Sequence, residues 1–421
     1  MSNDLNNRYD VCVIGAGASG LVSAAEIAKR GRSVLLIEQN KKSGRKLYAT
    51  GNGRCNLANA VISDSVYYGS AFAKAVVNEA SAAELRKYLL ELGIPLVEER
   101  DGYFYPQSLQ ASGVVWALTD AARAAGVHFL YDTEVTGIEE EKNGYLLQAG
   151  GSVHAEKLVL ALGSPAAPHL GAAKPGTIGK LLTDLKLPYT PFEAALCPLL
   201  VEEDVSPLAG VRVKAELLLE ENGDAETGEL QMTEYGISGI AVFNLSTYAS
   251  IGSTLRIDLL PLWKDADTFL AALNDMDPGR RMDGVLNGFL HEKLCRFFLE
   301  MCFGQEAAKK PLGDFSREGL KKLFQQLKQW RLIVSGKKGE MGQACRGGIL
   351  TDVVDPKNMQ VSRNRENMSD IGRQVNVSEE TEPRGNGRLA VTGEALDVVG
   401  RCGGYNLMFA LISGIRAGRM I

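Results

Sequence analysis

The chain lacks long apolar runs and an excess of charge of either sign. No apolar run in its 421 residues approaches the roughly 18 residues that a membrane-spanning helix needs, so we expect no contact with a membrane. The first residues contain no apolar stretch, which predicts that this segment is not a signal peptide. Lys and Arg total 46 and Asp and Glu total 51, and the net charge of −5 argues against a dedicated nucleic-acid-binding protein.

Cysteine and histidine are sparse, which limits the metal and thiol chemistry available. The seven cysteines contain no Cys-x-x-Cys pair, which excludes a zinc ribbon and a dithiol redox centre and indicates the reducing cytoplasm. The histidines show no metal-ligand spacing and fall outside the glycine-rich motifs; they are His128, His154, His169 and His291. We therefore expect no metal site and no histidine acid or base.

Glycine is abundant, and the 46 glycines are concentrated in a few segments. The first segment follows an apolar, β-branched run over 10–14, which predicts a buried parallel strand. A helix over 21–29 and a second strand over 33–37 come after it, and Glu38 ends the unit. The pattern Gly-x-Gly-x-x-Gly between strand and helix is formed by Gly15, Gly17, Ala18, Ser19 and Gly20.

This strand–helix–strand unit is typical of dinucleotide binding. Gly15 permits the tight turn, Gly17 lets backbone N–H groups approach a pyrophosphate, and Gly20 lets the helix pack close to the sheet. The helix N-terminus adds about half a positive charge. Glu38 is placed to accept hydrogen bonds from a ribose diol. The unit by itself does not separate NAD from FAD.

Two further segments favour FAD. The apolar run over 158–163 predicts a strand that returns to a bound nucleotide, and the segment 391–406 enters a helix over 407–418 through two glycines. Reduced flavin carries negative charge that a second helix N-terminus would stabilise, whereas NAD has no obvious use for one. Taken alone, this segment also fits a glycine-capped core helix. No second Gly-x-Gly-x-x-Gly follows a strand, which argues against a permanent NAD(P) domain, so a nicotinamide, if used, is expected to bind transiently as an electron donor or elsewhere.

The glycine-rich motifs lie near both ends of the chain, whereas the middle consists of predicted strands followed by segments with helical apolar spacing. We predict an α/β fold with a Rossmann-like FAD-binding domain built from both chain ends, an inserted β-rich domain and a small helical domain. Strands are predicted over 196–203, 211–221 and 254–262, and helices over 281–302 and 316–330. The predicted boundaries are 1–188 and 339–421 for the FAD-binding domain, 189–265 for the β-rich domain and 266–338 for the helical substrate or lid domain. The polar stretch 362–388 predicts a loop.

Several segments together resemble one bacterial family, the NAD(P)/FAD-dependent oxidoreductases that include BaiN-type and aminoacetone oxidase-like flavoproteins. The segments Gly-Asn-Gly-Arg-Cys-Asn over 51–56 and Gly-Glu-x-Leu-Asp-Val-x-Gly-x-x-Gly-Gly-Tyr-Asn over 393–406 are the most specific. Others lie at 15–20, 44–47, 102–106, 233–239 and 345–348. The resemblance covers nearly the whole chain and implies an FAD-binding domain with inserted β and helical domains. Ser164, Ile240 and the segment 175–179 depart from the family pattern, which bears on the substrate more than on FAD.

The predicted FAD-binding residues are drawn from these segments. The loop 51–56 is the best candidate to lie against the flavin ring, because its glycines let the backbone lie flat. Arg54 or Lys46 would steady a phosphate or the reduced ring. In addition to the five residues of the first motif, the predicted set is Glu38, Gly44, Arg45, Lys46, Gly51, Gly53, Arg54, Cys55, Asn56, Val135, Ala161, Gly163, Gly393, Glu394, Asp397, Gly403, Gly404, Tyr405 and Asn406.

Arg54, Cys55 and Tyr235 are the predicted catalytic residues. Cys55 is interpreted either as a redox or nucleophilic thiol or as a buried small residue, and the second interpretation is favoured because no histidine is near in sequence. Tyr235 or its neighbour Glu234 is a candidate proton donor, with a surface turn as the equal alternative.

The function predicted from these patterns is that of a cytoplasmic FAD-dependent oxidoreductase, with hydride transfer through flavin N5. The leading hypothesis is NAD(P)H-linked reduction of an enone such as a steroid or bile-acid ketone. The alternatives are an O2-using oxidase of a small amine or aminoketone, a flavin-dependent tRNA modifier, and a flavoprotein that senses without turnover. The expected partner is a small-molecule substrate, with no nucleic acid or membrane, and the expected state is a monomer or homodimer.

Overall fold

The computed structural model describes residues 8–63, 65–68, 70–362 and 387–421. The chain divides into two compact units, of which the first comprises Met1–Glu193 and Ala344–Ile421 and the second comprises Ala194–Gln343. Each unit encloses its own cluster of buried apolar side chains. Apart from its ends, the predicted loop 362–388 lies outside the described residues.

A seven-stranded sheet forms the centre of the first unit. Its strands are β1 (Arg8–Ile14), β2 (Val34–Ile37), β6 (His128–Leu130), β7 (Gly137–Glu141), β8 (Gly144–Gln148), β9 (Ser152–Leu160) and β18 (Leu389–Val391). The order is β6-β2-β1-β9-β8-β7, and β18 pairs with β9. Neighbours among β6, β2, β1, β9 and β18 are parallel, whereas β7 and β8 form an antiparallel edge. Strand β2 is buried throughout, as its continuous apolar run predicts.

Helices and two small sheets complete the first unit. The small sheets are β3-β5-β4, formed by Ala58–Asn59, Tyr103–Pro106 and Leu96–Glu98, and the pair β10 (Tyr189–Ala195) and β17 (Ala344–Ile349). The helices are α1 (Ala18–Ala28), α2 (Arg45–Ala49), α3 (Ala71–Val76), α4 (Glu79–Glu91), α5 (Ala111–Ala124), α6 (Pro175–Asp184) and α12 (Tyr405–Met420).

Helix α12 packs directly on α1. A Cβ atom added at Gly414 would lie 2.4 Å from the carbonyl oxygen of Ser19, and one at Gly418 would lie 2.7 Å from that of Ser23. The hydroxyl of Ser23 donates a hydrogen bond of 2.9 Å to the carbonyl oxygen of Gly414. The glycines spaced four residues apart therefore allow the two backbones to touch, which locks the last helix of the chain against the first.

The second unit contains a closed antiparallel barrel. Its strands are β11 (Leu199–Val201), β12 (Arg212–Leu219), β13 (Ala225–Thr233), β14 (Gly236–Ser238), β15 (Thr254–Asp258) and β16 (Trp330–Lys337). The barrel order is β11-β14-β13-β12-β15-β16, with β16 pairing back onto β11. Strands β13, β14 and β16 were not predicted, and β16 is needed to close the barrel.

The helices of the second unit share a core with the barrel. They are α7 (Ile240–Ser246), α8 (Ala266–Asn274), α9 (Met282–Leu286), α10 (Glu292–Phe303) and α11 (Arg317–Lys328). The expectation of one helix over 281–302 is wrong, because α9 ends at Leu286 and α10 begins at Glu292, capped by His291, whose ring accepts the Lys293 N–H. Leu286, Leu290 and Leu294 are nevertheless all buried, so the apolar spacing continues across the break. The division of this region into separate β-rich and helical domains stays a prediction.

Candidate cofactor site

The predicted cofactor residues follow the carboxyl ends of adjacent parallel strands. Gly15 follows β1, Glu38 follows β2, Ala161 follows β9 and Gly393 stands two residues beyond β18. Val135, in the loop between β6 and β7, is buried. Ligands of open parallel sheets bind outside the carboxyl ends of the strands, so this edge is the candidate site.

The first glycine motif forms a tight turn with one open position. Gly15 has a φ of +103°, and a Cβ atom there would lie 2.3 Å from the carbonyl oxygen of Ala161. A Cβ atom at Gly20 would lie 1.9 Å from the carbonyl oxygen of Gly15. At Gly17, by contrast, an added Cβ atom would meet no heavy atom within 4 Å. Helix α1 begins directly after Gly17 without a side-chain cap, so its N-terminus fits a pyrophosphate group.

Glu38 is held at the end of β2 by two backbone donors and one side-chain donor. Its Oε2 accepts a 2.8 Å hydrogen bond from the N–H of Ala16, and its Oε1 accepts bonds of 2.8 and 2.6 Å from the backbone and side chain of Asn40. The carboxylate is largely buried. Glu38 therefore ties the glycine turn to the second strand, and its predicted bond to a ribose stays a prediction.

Lys46 and Glu394 form an ion pair. Lys46 Nζ lies 2.6 Å from Glu394 Oε2, and Ser164 Oγ lies 3.4 Å from the first and 3.3 Å from the second. Arg45, next to Lys46 on α2, donates to the side chain of Asn40 instead. Gly44, which precedes α2, adopts a φ of +68°. Lys46 and Glu394 were predicted as separate cofactor contacts, and the structure brings them together.

The loop 50–56 holds a packed thiol. Cys55 is fully buried, and burial raises the pKa of its thiol to about 11. Gly51 and Gly53 both adopt positive φ angles, of 57° and 82°. A buried thiol that is protonated at neutral pH is a poor nucleophile, so the structure favours the interpretation of Cys55 as a buried small residue.

Arg54 is tied to the sheet β3-β5-β4. Its guanidinium lies 4.5 Å from the ring centre of Tyr105, and Nη1 lies 3.2 Å from Oε2 of Glu99. Asn56, two residues on, is largely buried. The loop is therefore anchored at Arg54 by stacking and an ion pair, and any contact of Arg54 with the cofactor stays a prediction.

Side chains of the segment 393–406 stabilise the site through hydrogen bonds to backbone groups. Asn406 bonds both the N–H and the carbonyl oxygen of Gly400, at 2.8 and 2.9 Å, and Tyr405 Oη donates to the carbonyl oxygen of Val61 at 2.8 Å. Asp397 Oδ1 accepts a 2.8 Å bond from the N–H of Gly347. These three residues were predicted to bind FAD, and the structure gives each of them a bond that shapes the site.

The glycines of this motif differ from Gly163 in their surroundings. A Cβ atom at Gly404 would lie 2.6 Å from the carbonyl oxygen of Ala58, and one at Gly403 would lie 2.9 Å from the Tyr103 ring. A Cβ atom at Gly163 would meet nothing within 4 Å. Gly403 and Gly404 are therefore required by the close approach of the chain itself.

Tyr235 lies in the second unit, in the turn between β13 and β14. Lys338 Nζ lies 3.9 Å from the centre of its ring, and its hydroxyl lies 3.7 Å from Met341 Sδ. These contacts are typical of a surface turn as much as of a proton donor. The catalytic role of Tyr235 stays a prediction.

Two residues outside the predicted set of cofactor-binding and catalytic residues join the candidate site. Cys345, like Cys55, was interpreted either as a reactive thiol or as a buried small residue, with the second favoured. Ser164 contacts the pair of Lys46 and Glu394, and Cys345 on β17 interacts electrostatically with both members of that pair. Each stands in or next to a glycine-bearing segment, which is the signal in the sequence that could have drawn attention to it.

The sequence model of a protein family, the HI0933-like protein Rossmann domain, matches residues 9–420. The chain belongs to this family. A 3-dehydro-bile acid delta(4,6)-reductase of Clostridium scindens is 32% identical to this HI0933-like protein, with 97% of each chain covered. A ribosomal RNA dihydrouridine synthase of Escherichia coli is 29% identical over 96% of this chain and 95% of the relative. A protein of the same name from Haemophilus influenzae is 27% identical, with 94% of each covered.

The predicted family, the α/β fold and the assignment as an FAD-dependent oxidoreductase are thereby confirmed. Among the residues that the structure describes, no helix is long and apolar enough to cross a membrane. Within the same residues, no group of three or more His, Cys, Asp or Glu side chains is arranged to hold a metal ion. Two relatives of this HI0933-like protein are named for RNA chemistry, so the expectation of no nucleic-acid partner stays open.

Proposed function

We propose that this protein uses FAD to reduce a carbon–carbon double bond conjugated to a carbonyl group, with NAD(P)H as the transient electron donor. The observation that carries the proposal is the similarity, over nearly the whole chain, to a relative named as a delta(4,6)-reductase of 3-dehydro-bile acids. The proposed substrate is a small conjugated ketone of that type.

The names of the other two relatives describe the same chemistry. Formation of dihydrouridine saturates the C5=C6 bond of uracil, which is conjugated to the C4 carbonyl. In both reactions the carbon remote from the carbonyl receives a hydride and the other alkene carbon receives a proton. The proposed reaction class therefore holds for either substrate.

The residues at the carboxyl edge of the sheet would hold FAD. The amides that follow Gly17 at the start of α1 would bind the pyrophosphate, and Glu38 would bind a ribose. The N-terminus of α12, after Gly404, would stabilise negative charge on the flavin. When bound, FAD supplies hydride transfer at N5. The pair of Lys46 and Glu394 would place one cation and one anion at this edge with no net charge between them.

The test is an anaerobic absorbance titration of the purified protein, first with NADH and NADPH and then with a 3-oxo-4,6-diene bile acid. We expect flavin bands near 370 and 450 nm (about where any flavin absorbs,) that bleach with a nicotinamide and return with the bile acid. Flavin bands that do not bleach with either NADH or NADPH would contradict the proposed electron donor. In a separate assay in air, hydrogen peroxide formation from O2 with small amines, without reaction with the bile acid, would indicate the oxidase instead.

An RNA substrate is the second candidate, and one surface feature favours it. In the second unit a concavity of about 420 Å³ is lined by three arginines and two carboxylates, namely Arg280, Arg281, Arg296, Asp283 and Glu292. Arg281 is paired with Asp283, but among the described residues the guanidinium groups of Arg280 and Arg296 make no hydrogen bond or ion pair. Unpaired guanidinium groups in a concave surface suit phosphate groups.

The same titration separates the two candidates when a ribosomal RNA fragment replaces the bile acid. If RNA is the substrate, the flavin bands return with RNA and the affinity falls steeply with added salt. The double change Arg280→Ser and Arg296→Ser should then weaken RNA binding about uniformly across sequences, while reduction by nicotinamide is unaffected.

A further inference from the structure

A tyrosine side chain lies against the pair of glycines that precedes α12. Tyr103 is the first residue of β5, and it pairs with Asn59 of β3. A Cβ atom added at Gly403 would lie 2.9 Å from Cε1 of Tyr103 and 3.5 Å from Cζ, the ring carbon that bears the hydroxyl. Asn59 Nδ2 donates a 3.0 Å hydrogen bond to the carbonyl oxygen of the same glycine. The small sheet β3-β5-β4 therefore fixes the Tyr103 ring beside the N-terminus of α12.

The hydroxyl of Tyr103 is available to a ligand. Other tyrosines nearby use their hydroxyls within the protein. Tyr67 donates to the carbonyl oxygen of Tyr405 at 3.0 Å, and Tyr105 accepts from Arg54 at 3.4 Å. Among the residues that the structure describes, no group donates to the Tyr103 hydroxyl or accepts from it, and the side chain is partly exposed. This hydroxyl is therefore free to bond a molecule in the candidate site.

The surroundings of Tyr103 keep its hydroxyl protonated. Burial raises the pKa of the phenol above its ordinary value, and Asp101, Cys402 and Tyr105 add to the rise, whereas Arg401 opposes it. At neutral pH the group is therefore an O–H that can donate a hydrogen bond. Such a donor suits an acceptor that gains negative charge, because hydrogen bonds to charged acceptors are stronger than those to neutral ones.

The proposed reduction creates negative charge at one atom of the substrate. When the far alkene carbon receives the hydride, the electron pair of the double bond moves toward the carbonyl group, and its oxygen becomes negative. A donor placed at that oxygen in advance lowers the barrier, because its hydrogen bond strengthens as the charge develops. The enolate then takes a proton from water on the carbon next to the carbonyl, so a hydride and a proton have been added across the double bond.

The two cations considered for the flavin ring are less suited to this task. Lys46 is paired with Glu394 at 2.6 Å, and Arg54 is paired with Glu99 at 3.2 Å. A bond from either cation to the substrate would compete with its ion pair. The hydroxyl of Tyr103 has no such partner to lose among the described residues.

We propose that the hydroxyl of Tyr103 donates a hydrogen bond to the carbonyl oxygen of the substrate and stabilises the negative charge that forms there. The inference rests on the proposed function and names a catalytic residue for it. It holds for a bile-acid ketone and for the C4 carbonyl of uracil, because in both the carbonyl group is conjugated to the double bond that is reduced. The segment 102–106 resembles the family, but none of its residues was predicted to belong to the site.

The test compares Tyr103→Phe with the wild-type holoenzyme in two half-reactions. The change removes the hydroxyl and keeps the ring against Gly403, so the variant should fold and bind FAD normally. Reduction by NAD(P)H should be unchanged. Reoxidation by the substrate that the wild type accepts, either the 3-oxo-4,6-diene bile acid or the ribosomal RNA fragment, should slow by about 100-fold or more. Reoxidation of Tyr103→Phe at the wild-type rate would overturn the role of Tyr103.

Tyr9→Phe is the matched control and should keep wild-type rates in both half-reactions. Tyr9 is the second residue of β1, so it lies at the opposite end of this strand from Gly15 and the candidate site. Its hydroxyl lies 3.2 Å from Nδ1 of His128. The control therefore removes a tyrosine hydroxyl from the same unit without touching the site.

Absorbance of the bound ketone supplies a readout without turnover. The ultraviolet band of a conjugated ketone moves to longer wavelength when its oxygen accepts a strong hydrogen bond. With the bile acid added to oxidised holoenzyme in the absence of a nicotinamide, this shift should appear in wild type and Tyr9→Phe. In Tyr103→Phe the shift should be lost and the affinity should fall about tenfold. An unchanged shift in Tyr103→Phe would mean that the ring only packs, and would overturn the proposal.

Two further outcomes separate this inference from the proposed function. A changed FAD affinity or flavin spectrum of Tyr103→Phe without substrate would mean that the hydroxyl bonds the cofactor. That result would overturn the inference and leave the proposed function standing. Failure of the wild-type enzyme to be reoxidised by either the bile acid or the RNA would overturn the proposed function, and this inference with it.

Discussion

Gly17 and Gly20 stand three residues apart in one motif but have opposite surroundings. A Cβ atom at Gly17 points into open space, whereas one at Gly20 would collide with the backbone of Gly15. Gly17 also has a φ of −80°, which any residue adopts. One glycine is therefore available for a ligand, and the other is required by the packing of α1 on the sheet.

We predict that Gly17→Val leaves the apoprotein stable but lowers FAD affinity at least about tenfold, or ~1.4 kcal/mol, because the side chain fills the space for the pyrophosphate. Gly20→Ala should instead destabilise the apoprotein by about 1–3 kcal/mol through overpacking. Urea unfolding of both apoproteins and FAD titration by flavin fluorescence measure the two effects. Normal FAD affinity in Gly17→Val would contradict the assignment of the pyrophosphate to the space beside Gly17.

At the scale of elements, the contact between α1 and α12 joins the two ends of the chain. Gly414 touches the backbone of Ser19, which lies in the first turn of α1, and Arg419 pairs with Glu26 near the end of α1. The position of α12 therefore supports the turn that would bind the pyrophosphate. A substitution on α12 should therefore alter the position of the N-terminus of α1 and weaken FAD binding there.

We predict that Gly414→Ala destabilises the protein by about 1–3 kcal/mol and also weakens FAD binding, because the added methyl group pushes the two helices apart. Gly176→Ala on α6 is the matched control, since a Cβ atom there meets nothing within 4 Å. The control should be neutral or gain up to about 1 kcal/mol from helix propensity. Calorimetry measures the stability of both variants, and FAD titration measures their affinity. If Gly414→Ala is as stable as Gly176→Ala and binds FAD equally well, the tight contact between α1 and α12 is contradicted.

At the scale of the whole molecule, the two units differ in their tryptophans. Trp116 is the tryptophan of the first unit and is 69% exposed, whereas Trp263 and Trp330 pack in the core of the second unit. Every predicted FAD-binding residue lies in the first unit. Flavin fluorescence therefore follows the first unit, whereas the change in tryptophan fluorescence on unfolding comes mainly from Trp263 and Trp330 of the second unit, because Trp116 is already exposed in the folded protein.

We predict that FAD raises the unfolding temperature of the first unit and leaves that of the second unchanged. A ligand at a hundred times its Kd stabilises the state that binds it by about 2.7 kcal/mol. Thermal scans with and without added FAD should show a shift in near-UV or calorimetric signal that the fluorescence of Trp263 and Trp330 does not follow. Equal shifts in all signals would mean that the units unfold as one.

The sequence by itself determined the strand–helix–strand unit, the reuse of both chain ends and the chemistry of FAD, because each follows from local rules. The roles of Gly15, Gly20 and Glu38 follow from their spacing within one strand–helix–strand unit. Gly414 and Gly418 on α12 are spaced four residues apart, and this spacing likewise predicts a close contact with another helix.

Only the tertiary structure decided which residues meet across long stretches of chain. Barrel closure by β16 and the cluster of Lys46, Ser164 and Glu394 depend on long-range contacts that leave no local period. The break before α10 was missed because the apolar spacing runs through it unchanged. Cys55 and Cys345 both lie in segments that resemble the family, yet Cys55 is fully buried and Cys345 is partly exposed, because burial is a property of the folded surroundings and not of the local sequence.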